Sequence, residues 1–67
     1  MIYSRFGSQV TILEDTGGGW VNVRRESDGT LHEWHVAELK ADGGIAEITA
    51  AIAAVKAADV AAHQMTR

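Results

Sequence analysis

The chain has 67 residues, six Lys/Arg against nine Asp/Glu for a net charge of −3, no cysteine and no proline, and 46% of its residues are hydrophobic. A chain this short buries only about 60% of the surface it exposes when unfolded, which excludes a second domain and a spacious enclosed cofactor cavity. The lack of cysteine excludes disulfides, thiolate metal sites and a cysteine nucleophile, and the acidic balance has the wrong sign for a whole-domain grip on nucleic acid.

The first ten residues, MIYSRFGSQV, hold no apolar run of signal-peptide length, and no stretch approaches the ~20 apolar residues of a membrane span. A cytoplasmic location is therefore expected. Two segments of different period follow one another within one domain. Residues 1–42 alternate apolar and polar and carry both tryptophans; residues 43–67 are alanine-rich and helical in period. Gly43–Gly44 separates them.

In chain order, Ile2–Phe6 reads as a short strand and Gln9–Asp15 as a longer one. Thr16–Gly19 is a loop whose glycines permit positive φ, and Trp20–Glu26 is the next strand. Asp28–Gly29 is a strong two-residue hairpin signal, leading into a strand over Leu31–Ala37. That turn sets Val23 opposite Trp34, Val21 opposite Val36, Arg24 opposite Glu33 and Asn22 opposite His35. A loop at residues 16–19 then sets Ile12 opposite Val23 and Val10 opposite Arg25. One face so collects Val10, Ile12, Val21, Val23, Trp34 and Val36. A slip of one residue in any strand would scatter that face.

Such a small antiparallel sheet needs a cover. The spacing Ile45, Ile48, Ile52, Val55 predicts one apolar seam on a helix over residues 45–63, with Asp42 or Gly44 as its cap and Glu47 near its positive end. Alanine fills nine of the 18 residues from 45 to 62, so helix propensity is high. Asp59 continues the seam, so burial should stop near Lys56, with the tail AAHQMTR frayed.

The succession SQVTILED, a Gly-rich loop, WVNVRRESDG and a strand ending WHVAEL resembles a small SH3-like barrel. KOW-like and related modules of small bacterial, phage and plasmid proteins share this pattern. The resemblance covers about half the chain. It implies a mainly β fold, an antiparallel partial barrel of three to five strands followed by the helix. A further strand is expected from Ile2–Phe6, from Glu38–Lys40 or from another subunit. The resemblance also implies binding at exposed aromatics and loops beside the meander, which by position means Trp20 and its loop.

Candidate binding residues are thus Trp20, Leu13, Asn22, Arg24 and His35, all read as facing away from Trp34, which belongs to the core. The alanines Ala46, Ala50, Ala53, Ala57 and Ala61 line a second helix face almost free of charge. Small side chains let helices approach closely, so this face is read as a homodimer interface. In HEWH, His32 and His35 fall on opposite faces of a strand and cannot share a metal directly; no metal, cofactor or catalytic set is expected. Arg5, Arg24, Arg25 and Lys40 face six acids within residues 1–40 and make a poor phosphate surface. Gly17–Gly18–Gly19 precedes a strand rather than a helix, so it is a flexible loop and not a phosphate cradle.

These features point to a non-enzymatic interaction module, self-associating and binding a protein segment or small ligand beside Trp20. A KOW-like nucleic-acid-binding accessory protein is the alternative. A small oligomeric enzyme with a site shared between subunits is the third, sharing only size and fold with a plasmid-borne reductase built on an SH3-like barrel.

Overall fold

The computed structural model describes the backbone of residues 1–65 and the side chains as far as Ala58. Five strands, β1 (Ile2–Ser4), β2 (Gln9–Gly17), β3 (Trp20–Arg25), β4 (Leu31–His35) and β5 (Leu39–Ala41), precede one helix, α1 (Ile45–Met65). A 3-10 turn over Val36–Glu38 joins β4 to β5. The strands form one open antiparallel sheet in the order β4-β3-β2-β1-β5. The protein is therefore mainly β with one C-terminal helix.

Alternation builds the core. Val10, Ile12, Val21 and Val23 are buried and their neighbours Thr11, Leu13, Trp20 and Arg24 are exposed. Ile2 and Leu39 join them from β1 and β5, and Ile48 closes the core from α1. Trp34, Val36, Ile52 and Val55 pack around this cluster, as their period predicts. Ile45 departs from the seam, for it is 66% exposed. It is the first residue of the helix, and the stripe that packs on the core runs Ile48–Ala51–Ile52–Val55.

Both strands beyond the meander come from within the chain. β1 pairs with β2 and with β5, Tyr3 lying opposite both Gln9 and Lys40. The β1–β2 turn is organised by Ser4, which is 1% exposed. Its hydroxyl accepts from the Phe6 and Ser8 amides at 3.2 Å, and its own amide donates to Ser8 O at 2.8 Å. One buried oxygen thus satisfies two donors the turn would otherwise strand.

Two hairpins differ from the expected register. Val21 lies opposite Trp34, Asn22 opposite Glu33, Val23 opposite His32 and Arg24 opposite Leu31. The turn holds Glu26–Gly29 rather than Asp28–Gly29 alone, with Arg25 N donating to Thr30 O at 2.8 Å. Asp28 decides this. Its carboxylate accepts Arg25 Nε at 3.1 Å and Nη2 at 2.5 Å, and also the Thr30 amide and hydroxyl. A forked ion pair three residues apart needs a wider loop than a two-residue turn provides. Arg25 and Thr30 hold the Asp28 carboxyl far below the usual carboxylate range. The displacement is by two residues, an even number, so every side chain keeps its face. It does separate Arg24 from Glu33; Arg24 pairs with Glu26 at 3.1 Å instead.

In the other hairpin Val10 meets Arg25 and Ile12 meets Val23, as expected, but bulges follow between Ile12 and Glu14 and between Asp15 and Gly17. β2 consequently runs on to Gly17, two residues past its expected end. A bulge sets two residues against one and inverts the alternation beyond it. Asp15 therefore falls opposite Val21, on the core side, where Lys56 Nζ meets its carboxylate at 2.8 Å. Lys56, then the Gly17 amide, lower its pKa below the ordinary aspartate value.

The strand expected over Leu31–Ala37 stops at His35 because the ring caps the 3-10 turn, His35 Nδ1 accepting the Ala37 amide at 3.1 Å. At the head of α1, Gly44 stands directly before Ile45, and Glu47 rather than Asp42 supplies the carboxylate. It accepts the Gly43 amide at 2.8 Å and pairs with the Met1 amine at 2.6 Å. Asp42 turns instead toward the Tyr3 hydroxyl at 3.4 Å.

Candidate functional site

The face of β2-β3-β4 turned away from the core presents three cross-strand rows. The first joins Thr11, Arg24 and Leu31; the second Glu14, Asn22 and Glu33; the third Gly17, Trp20 and His35. Trp20, Asn22, Arg24 and His35 thus share this face, as the alternation requires. Leu13 is the extra residue of the first bulge and is exposed.

Trp20 is 45% exposed and meets the His35 ring edge-on, with centroids 5.3 Å apart and planes at 87°. The loop before it is built from left-handed glycines, Gly17, Gly18 and Gly19, at φ of 99°, 63° and 87°. Gly19 lets the backbone pass under His35, for a Cβ there would fall 2.7 Å from His35 Nε2. The glycine run therefore serves close packing beside Trp20, beyond loop freedom alone.

Trp20 opens onto a cleft of about 320 Å³ lined by Ser4, Arg5, Phe6, Trp34 and Glu38. Three aromatic rings from separate elements converge there. Phe6 is 75% exposed, and the Arg5 guanidinium lies over its ring at 4.8 Å while reaching Glu38 at 3.7 Å. Sequence reasoning missed Phe6. An aromatic residue held between Arg5 and Gly7 was the available signal, but only the β1–β2 turn at Ser4 carries it to Trp20.

A second groove, of about 600 Å³, holds Leu13, Asn22 and Leu31 with the carboxylates Glu14, Asp15 and Glu33, bordered by Val55 and Lys56. A smaller hollow of about 270 Å³ between Thr16, Gly17, Trp20 and Glu33 lies beside Trp20. The five expected binding residues are thus divided. Trp20 lines the aromatic cleft, Leu13 and Asn22 line the groove, His35 supports Trp20, and Arg24 is held by Glu26.

His32 and His35 take structural parts. His32 stacks on Trp34 at 5.2 Å and 22°, with Thr30 Oγ1 at 2.8 Å from its Nε2. Among the described residues no three His, Asp or Glu side chains converge as a metal site would require. Arg5, Arg24, Arg25 and Lys56 each sit in an ion pair with a carboxylate. On α1, Ala46, Ala50, Ala53 and Ala57 are all exposed; Ala61 and the tail expected to fray lie outside the described side chains. Among the described residues no helix is long and apolar enough to cross a membrane.

Comparison with known protein families, with curated proteins and with solved structures finds no match to this chain.

Proposed function

We propose that this chain is a non-enzymatic interaction module of SH3-like type that binds an extended protein segment beside Trp20. The observation that carries the reading is the cleft itself: Phe6, Trp20 and Trp34 come from the β1–β2 turn, β3 and β4 to line one open hollow. Large, rigid rings at the mouth of a cleft are the anchors that binding surfaces favour, and Trp20 is 45% exposed there. Five antiparallel strands, the number such barrels usually carry, support the SH3-like reading. Of the four cations weighed for the nucleic-acid alternative, Arg5, Arg24 and Arg25 are held by carboxylates, which leaves Lys40, exposed on β5, as its support.

Passing a synthetic library of random hexapeptides over the immobilised chain should retain peptides that perturb tryptophan fluorescence. Trp20→Ala should weaken the best of them by about tenfold or more, the loss expected of an aromatic anchor. Its thermal melt should stay close to the parent's, since Trp20 lies outside the core. Retention of no peptide, or unchanged affinity in Trp20→Ala, would overturn the reading.

Self-association belongs to the same proposal. The exposed face of Ala46, Ala50, Ala53 and Ala57 would let a second helix approach closely. Light scattering should give about twice the 7.2 kDa chain mass, falling to the single mass in Ala53→Lys. A monomeric parent chain would remove the dimer and leave the peptide reading to its own test.

A further inference from the structure

We infer that the segment bound beside Trp20 carries a cationic side chain, arginine or lysine, which seats on the outer sheet face against the Trp20 ring and the Glu33 carboxylate, with Glu14 reinforcing the attraction. The inference rests on the reading of Trp20 as a binding platform and names the chemistry of what binds there.

Charge pairing over the molecule singles out these two carboxylates. Asp15, Glu26, Asp28, Glu38, Asp42 and Glu47 each meet a cation of the chain. Among the described residues Glu14 and Glu33 meet none, and both are exposed. The register brings them together: Glu14 lies opposite Asn22, and Asn22 opposite Glu33, in one row across three strands. Strands about 4.8 Å apart put the two backbones roughly 10 Å from each other, too far to share one ion and close enough to act on one extended segment.

Both carboxylates are oriented without being neutralised. Asn22 Nδ2 donates to Glu14 at 3.2 Å, and the Thr16 hydroxyl donates to Glu33 at 3.1 Å. Each donor is uncharged, and an ionised carboxylate offers about four acceptor positions, so most remain for an incoming N–H. Glu33 shares the hollow beside Trp20 and also lines the larger groove with Glu14, so this one carboxylate borders both the ring and the second charge. Leu13 and Leu31, exposed along that groove, suit the aliphatic stem of arginine or lysine. A cation is attracted by an indole face and by a carboxylate together, whereas an acidic segment would be repelled by a face of this sign and by the chain's net charge of −3.

The random hexapeptide library tests this with the parent chain, E33Q and the E14Q/E33Q double variant. Glutamine keeps the acceptor that Asn22 or Thr16 uses, and thermal melts establish that each variant folds; E33Q alone carries the test should the double variant not fold. Retained peptides should be enriched at least threefold in Arg plus Lys over the input library. That enrichment should vanish in the double variant and fall sharply in E33Q. Retained peptides with no cationic enrichment, or enrichment that survives both variants, would overturn the inference while the binding role of Trp20 stands. A library that yields no retained peptide at all would overturn both.

Discussion

Replacing Ile48 with alanine is expected to lower the melting temperature by roughly 10–30 °C, or to leave the chain unfolded at room temperature. Ile48 is 2% exposed and, among the described residues, is the one helical side chain fully within the core. Removing a buried isoleucine side chain to alanine costs about 2–5 kcal/mol. A chain of this length has a total stability of about 3–10 kcal/mol, and each kcal/mol shifts the melting point by about 4–8 °C. The same change at Ile45, which is 66% exposed, should cost no more than about 0.5 kcal/mol. Thermal melts followed by circular dichroism separate the two. Equal losses at Ile45 and Ile48 would mean that α1 sits on the sheet in a different rotation.

Gly19→Ala should be the most damaging change in the loop before Trp20. A non-glycine residue at φ of 87° is strained by about 1–2 kcal/mol, and here the new Cβ also meets His35 Nε2 at 2.7 Å. Relief requires His35 to move, and that ring caps the 3-10 turn through Ala37 and braces Trp20. The combined cost is roughly 2–4 kcal/mol. Gly18→Ala has positive φ but nothing nearer than Trp20 Cδ1 at 3.8 Å, so only the strain applies. In a His35→Ala background Gly19→Ala should cost less than in the parent chain, because the clash disappears while the strain stays. Chemical denaturation of Gly18→Ala, Gly19→Ala, His35→Ala and the Gly19→Ala/His35→Ala double variant measures this. Equal costs for Gly18→Ala and Gly19→Ala would show that the glycine–histidine packing contributes nothing.

The two tests draw on different kinds of information. Ile48 was legible from the helical period, and Val10, Ile12, Val21, Val23 and Trp34 from strand alternation. Trp20 likewise had to face away from Val21, whatever its partner strand. The closeness of Gly19 to His35 could not be read this way. It depends on the second bulge in β2 and on the hydrogen bond from Val36 N to Gly19 O at 2.8 Å, which joins the β2–β3 turn to the 3-10 turn after β4. The same holds for Glu33. The two-residue turn paired it with Arg24, and the forked Arg25–Asp28 contact moved it opposite Asn22 and away from that cation.

Away from the β2 bulges and Ile45, the sequence by itself determined which side chains are inward and which outward, because a strand's period of two and a helix's of 3.6 are local properties of the backbone. It determined too that a β part comes first and a helix last, and that the helix must roof the sheet. Only the tertiary structure decided register and convergence: the bulges at Leu13 and Thr16, the widened turn at Asp28, and the meeting of Phe6, Trp20 and Trp34 in one cleft. The physical reason is that an even shift in pairing leaves every face unchanged, so apolar patterning cannot tell one such register from the next. Specific side-chain hydrogen bonds and ion pairs make that choice, and they exist only once distant strands lie side by side.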